Sequence, residues 1–262
     1  MMRKYWSIFG GTPPRIVDME RHEGVAYVIG DIHGSLNLLK GLERKILADA
    51  KGQNEQSLLI CIGDMIDRGP DSFSVLEHVM APPPEGFQRI CLMGNHEEMM
   101  LKFLKSPGKA QVWLDFGGYE TLCSYGLLAR EIQLAQGNAR KMKLLLDRVI
   151  PRKHSAFLRA LPHGIQLKDF VIAHAGGNPA RPFGRQSVQD LLWGAHTFLE
   201  ATVRGDKPIV CGHYFVDAPR YAAEKIAIDT GAYKTGVLTA VKLGPGQTVE
   251  FISYSEPESG AE

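Results

Sequence analysis

The chain has no apolar run long enough to cross a bilayer as a helix. It has no surplus of either charge. A net charge of +1 over 262 residues offers little to grip a nucleic-acid backbone or an anionic lipid surface. Cysteine is scarce. The four present, Cys61, Cys91, Cys123 and Cys211, show no CxxC spacing, which argues against a thiolate zinc site or a dithiol redox motif. Cys61, Cys91 and Cys211 stand inside apolar runs, where a thiol packs as a small apolar group, in keeping with a reducing compartment. The stretch Met1–Gly10 carries charges but no apolar segment behind them, so no secretory leader is expected. The expectation from these absences is a soluble, cytoplasmic protein with no nucleic-acid or membrane partner.

What the chain does have is ordinary globular composition, 44% apolar and 23% charged, and one plan used three times. An apolar run ends in glycine, a polar loop follows, and a helical pattern succeeds it. Val25–Ile29 leads into Gly30-Asp-Ile-His-Gly34 and a helix over Ser35–Ala50. Leu58–Ile62 leads into Gly63-Asp-Met-Ile-Asp-Arg-Gly69 and a helix over Ser72–Met80. Arg89–Met93 leads into Gly94-Asn-His96 and a helix over Glu97–Lys105. Short β-branched runs alternating with helical patterns predict a largely parallel sheet with right-handed crossovers. Ligands of such sheets collect at the carboxyl ends of the strands, where all three polar loops fall.

Residues 1–24 suggest no element, and 107–162 read as mostly helical, broken at Gly117-Gly118, Gly126, Gly137 and Pro151. This insert carries no motif of its own and is expected to wall the site. Ile165–Leu167 and Phe170–Ala173 read as a hairpin ending in His174-Ala-Gly176, followed by a short helix over Gln186–Trp193. Pro208–Cys211 ends in Gly212-His213. Ile226–Asp229, Gly236–Leu243 and Thr248–Tyr254 read as strands of a second sheet, and 256–262 as a frayed tail. One domain over 1–262 is expected, with its core over about 24–254.

The strand ends supply Asp31, His33, Asp64, Asn95, His174 and His213. Mixed oxygen and imidazole donors suit manganese, iron or zinc rather than calcium. Six groups exceed what one open catalytic ion takes and suit two ions sharing a carboxylate. Such a pair clamps the attacking and leaving oxygens of a displacement at phosphorus. Arg68 is placed to fork onto phosphate oxygens, His96 to protonate the leaving oxygen, and Asp67 to orient His96. Any one glycine-flanked loop could be turn chemistry alone. Five of them in order, each closing an apolar run, are not explained that way. His22, His78, His154, His163 and His196 lie outside these loops and read as structural or solvated. Leu191, Leu192 and Trp193 read as core.

The ordered set Gly30–Gly34, Gly63–Gly69, Gly94-Asn-His-Glu97, His174-Ala-Gly176 and Gly212-His213 resembles the PPP-type metallophosphatases of the calcineurin-like metallophosphoesterase superfamily. The likeness is to bacterial and phage serine/threonine protein phosphatases and to symmetrical diadenosine tetraphosphate hydrolases. It runs from about Gly24 to Leu243, and Gly117–Gly126 and Ile228–Ala232 share it. The resemblance implies an α/β fold, a four-layer αββα sandwich of two mixed sheets flanked by helices. It implies Asp31, His33 and Asp64 on a first metal, and Asp64, Asn95, His174 and His213 on a second, with manganese first and iron or zinc as alternatives. It implies Asp67 and His96 as the acid pair, with Arg68 and Asn95 on the phosphate. The expected activity is hydrolysis of phosphoserine and phosphothreonine in proteins, or of small phosphate esters, by direct attack of metal-bound hydroxide. The alternatives are a dinucleoside polyphosphate hydrolase and a non-catalytic relative. One position departs from the pattern. The family's second phosphate-binding arginine is missing after Trp193, where Gly194-Ala-His196 stands. Arg181, Arg185, Arg204 and His196 are the candidate substitutes.

Overall fold

The computed structural model describes residues 14–53 and 55–257. Met1–Gly10 and the tail beyond Pro257 lie outside the described residues. The first sheet is built on the three repeated units. Strands β2 (Ala26–Ile29), β3 (Ser57–Cys61) and β4 (Phe87–Cys91) run parallel, each followed by a helix: α1 (Leu36–Asp49), α2 (Ser72–Met80) and α3 (Asn95–Lys105). Ile29 pairs with Cys61, and Cys61 with Cys91. The three polar loops therefore leave the sheet at one level.

The second sheet has the order β1-β5-β6-β7-β9-β8: β1 (Ile16–Met19), β5 (Gly164–Leu167), β6 (Val171–Ile172), β7 (Ile209–Cys211), β9 (Lys225–Ala227) and β8 (Arg220–Ala222). β5 and β6 pair antiparallel, as expected of the hairpin, and β6, β7 and β9 run parallel. Two expectations are corrected. Residues 16–19 form a strand paired with β5. Strands β10 (Val237–Gly244) and β11 (Thr248–Ser255) belong to the first sheet, not the second, with β10 antiparallel to β2.

The alternation of the strands explains the sandwich. Ala26, Val28, Leu58, Ile60 and Val241 face Ile165, Ile172, Val210 and Ile226 across the gap between sheets. Tyr27, Ile29, Leu59 and Cys61 face the opposite way, onto Leu39, Leu42, Val75 and Leu76 of the helices. Each fully buried aliphatic side chain contributes about 1.5–3 kcal/mol. The outer face of the second sheet is covered more thinly, with Val171, Ile209 and Cys211 packing on Phe198 and Val216. Helix α8 (Val188–Trp193) instead sends Leu192 to the helical side of the first sheet.

The insert is helical: α4 (Tyr119–Ser124), α5 (Ala129–Ala135), α6 (Ala139–Val149) and α7 (Arg152–Ala160). Gly117-Gly118 breaks it as expected: the turn over Leu114–Gly118 is kinked at Gly117, at φ 105°, before α4 begins. No helix among the described residues is long and apolar enough to cross a membrane.

Candidate active site

Every loop residue singled out from the sequence lies at the carboxyl ends of the strands. Asp31 and His33 follow β2. Asp64, Asp67 and Arg68 follow β3. Asn95 and His96 open α3, His174 follows β6, and His213 follows β7. The backbone bends sharply to place them. His33, Asp64, Asp67, Arg68 and His213 are five of the eight non-glycine residues with positive φ among those described. A β-carbon in that region costs about 1–2 kcal/mol per residue, and such strain persists where the surroundings hold it.

Asp64 is the centre. It is common to two ligand groups, His33–Asp64–His96 and Asp64–His174–His213, in each of which the donor atoms lie within 4.8 Å of one another. Asp64 Oδ2 is 3.7 Å from His33 Nε2, 3.3 Å from His174 Nε2 and 3.8 Å from His96 Nε2. Asn95 Oδ1 lies 2.9 Å from His174 Nε2 and 3.0 Å from His213 Nδ1. His33 Nδ1 donates to the Ile66 carbonyl at 2.8 Å, which turns the lone pair of Nε2 toward Asp64. Burial pushes the Asp64 carboxyl up, but His174 and His96 outweigh it and hold it well below the usual range. Burial lowers His33 to about 3 and His213 to about 4, so both rings are neutral, as ligation requires.

Two buried atoms here have no hydrogen-bond partner: Asp31 Oδ1 and His174 Nδ1, 4.0 Å apart. Burial, with Asp229 and Asp64 nearby, pushes the Asp31 carboxyl well up. A buried carboxylate oxygen and an imidazole nitrogen left without partners, beside a second carboxylate, fit a bound cation. The donor set, of carboxylate, amide oxygen and imidazole, fits first-row divalent ions.

Gly212 sets the room for Asp31, since a Cβ there would run into Asp31 Oδ1. Gly212→Ala is therefore expected to leave the fold intact while lowering metal occupancy and activity by about 10–100-fold. Metal analysis beside thermal melting checks this.

Glu97, quoted in the Gly94–Glu97 motif but given no role, holds two loops together. Its Oε2 accepts the Asp64 and Gly94 N–H groups at 2.9 and 2.8 Å, and Oε1 accepts the Met65 N–H at 2.8 Å. Burial and the Asp64 charge push its carboxyl up to about 7. The Asp67 carboxylate lies 2.7 Å from His96 Nδ1. Burial lowers the pKa of His96, but Asp64 and Asp67 outweigh it and raise the value above that of free imidazole.

Arg68 Nη1 donates to Tyr233 Oη at 2.6 Å, with the guanidinium 4.8 Å from the Tyr233 ring, and its buried Nε has no partner. No candidate substitute for the missing arginine meets it. Arg181 is held by Asp190 at 2.7 Å. No hydrogen bond or ion pair joins Arg185, Arg204 or His196 to the site among the described residues. Gly194-Ala195 is tied to Tyr214 Oη, which accepts from Ala195 N at 3.1 Å. Trp193 reaches α3 instead, with Nε1 donating to Glu98 at 2.9 Å. His78 and His154 serve other networks, with Glu43 and with Tyr125 and Glu77. A cavity of about 770 Å³ along α3, α6 and α7 is lined by none of the residues gathered at the strand ends.

A sandwich of mixed sheets that gathers carboxylates, imidazoles and an arginine at its strand ends is the architecture of a phosphoesterase. The chain belongs to the calcineurin-like phosphoesterase family, whose profile matches residues 25–226. Serine/threonine-protein phosphatase 2 of Salmonella typhimurium is 30% identical over 238 residues, 86% of this chain and 94% of that protein. The asymmetrical bis(5'-nucleosyl)-tetraphosphatase PrpE of Anoxybacillus flavithermus is 26% identical over 86% of this chain and 93% of its own length. Among solved structures, a protein with the provisional name diadenosine tetraphosphatase superposes with TM-score 0.63 at 22% identity, covering 93% of this chain and all of that one. The chain is thus a hydrolase of a family that implies divalent metal. The PrpE relative carries the name asymmetrical, where the sequence motifs suggested symmetrical hydrolases.

Proposed function

We propose that the chain is a dinuclear metal-dependent phosphatase that hydrolyses phosphomonoesters, with phosphoserine and phosphothreonine of proteins as the first substrate class. The observation that carries this reading is Asp64, shared by two ligand groups, with the His96–Asp67 pair against it. Asp31, His33 and Asp64 would hold one ion, and Asp64, Asn95, His174 and His213 the other, manganese being the first choice. When bound, such ions supply Lewis acidity and lower the pKa of water toward neutrality.

The rest is done by side chains. Arg68, steadied by Tyr233, offers an unpartnered Nε and its fork to phosphate oxygens. The Asn95 amide flanks the same space. His96, oriented by Asp67 through Nδ1, presents Nε2 to the departing oxygen and delivers its proton. No serine, cysteine or threonine is among the residues gathered round Asp64, so water is the attacking group in this reading. Turnover in the cytoplasm is part of the same reading, since Cys61, Cys91, Cys123 and Cys211 are all free thiols.

One observation favours a second reading, hydrolysis of dinucleoside polyphosphates: the likeness to the PrpE protein. A substrate panel with manganese-loaded protein separates the two. The first predicts phosphate release from phosphopeptides, lost in His96→Asn. Nucleotide products from diadenosine tetraphosphate, with inert phosphopeptides, would overturn it.

A further inference from the structure

The helical insert was expected to wall the site, yet it holds the acid pair. Trp113 Nε1 donates to Asp67 Oδ2 at 2.7 Å, and Thr121 Oγ1 donates to Asp67 Oδ1 at 2.6 Å. Thr121 Oγ1 also accepts the Asp67 N–H at 2.9 Å, as does Ser72 Oγ at the same distance. Asp67, Trp113 and Thr121 are all completely buried. An indole N–H can only donate, so Oδ2 is fixed as an acceptor, and it is this oxygen that meets His96 Nδ1. Both carboxylate oxygens are thus pinned from the insert side, and with them the rotation of the His96 ring.

The insert reaches Asp67 on either side of a kinked turn. Leu114–Gly118 is kinked at Gly117, whose φ of 105° breaks the helical path. Trp113 stands just before the turn and Thr121 just after it. Gly117 comes close enough for its carbonyl to accept the Arg68 N–H at 3.3 Å, and a Cβ on Gly117 would strike Arg68 N. The same turn therefore contacts the acid pair and the phosphate-binding arginine.

We infer that Trp113 and Thr121 are positioning residues for proton delivery: they hold Asp67 so that His96 faces the leaving oxygen. The inference rests on the phosphatase reading above. It predicts a loss confined to esters whose leaving group needs a proton, because a general acid matters least where the leaving group departs as a stable anion.

The test compares kcat and KM of Trp113→Phe, Thr121→Val and Thr121→Ser on a phosphoserine peptide and on 2,4-dinitrophenyl phosphate. Trp113→Phe and Thr121→Val are expected to lower kcat on the peptide by about 10–100-fold, within the span of general acid catalysis. KM, and kcat on the dinitrophenyl ester, should stay within about threefold of wild type, and Thr121→Ser should retain near-normal rates, since its hydroxyl still donates. Equal losses on both esters, or none on either, would overturn the inference. A readout without turnover accompanies it: the His96 Nδ1–H resonance in ¹⁵N-histidine spectra, identified by its loss in His96→Asn, should shift or broaden in Trp113→Phe and Thr121→Val. If wild type cleaves neither ester, the phosphatase reading fails and the spectra alone decide, an unchanged resonance in both variants overturning the clamp.

Discussion

Asp64→Asn is expected to lower turnover by at least about 10³-fold while leaving the fold intact. Asparagine has the same shape, but it removes the one charge common to both ligand groups. Several kcal/mol of transition-state stabilisation depend on cations at such a site, and each tenfold in rate corresponds to about 1.4 kcal/mol. The local backbone does not need the charge, since an asparagine Oδ1 can still accept the His96 N–H that Asp64 Oδ1 accepts at 3.1 Å. The Asp64 carbonyl still accepts from Ile32 and His33 at 3.1 and 2.8 Å, and its N–H still donates to Glu97. Phosphate release and thermal melting, measured together, check the prediction. More than a tenth of wild-type rate in the variant would contradict it.

Glu97→Ala is expected to have the largest effect on stability. Glu97 is completely buried, and its removal leaves the Asp64, Met65 and Gly94 N–H groups without their acceptor. An orphaned buried donor costs about 1–3 kcal/mol, so a loss of about 3–5 kcal/mol is expected, a drop of roughly 10 °C in melting midpoint for a chain of this size. Glu97→Gln fills the same volume but turns an amide N–H toward a backbone donor, so it is expected to destabilise in the same direction by less. Chemical denaturation of both variants measures the order. A stable Glu97→Ala chain would show that the two loops hold their shape without this carboxylate.

The convergence of the polar loops was legible because local chemistry marks them. Each closes an apolar run with glycine and then places metal-grade side chains, and strand-end geometry brings them together. Glu97 was half legible. Its spacing from Gly94 is that of a capping box, but its reach to Asp64 and Met65 crosses from α3 to the loop after β3. Trp113 and Thr121 carried no local signal at all, since they meet Asp67 across 46 and 54 residues. The β1 strand was missed because Ile16–Met19 is short, half-buried and set in polar sequence. The sheet assignment of β10 and β11 failed for a different reason. Antiparallel strands late in a chain read alike whichever sheet edge they join, and pairing of Val241 with Val28 is a tertiary choice. The missing arginine was visible as a gap in sequence. Its consequence was not, because the ion pair that takes Arg181, one of the candidate substitutes, to Asp190 is a tertiary contact.

The paired-metal claim is tested most directly by counting divalent ions per chain while titrating activity with manganese. The account predicts that activity saturates at two bound ions, and that Asp64→Asn binds fewer and stays inactive. Full activity with a single ion per chain, or a wild-type chain that retains none, would contradict it.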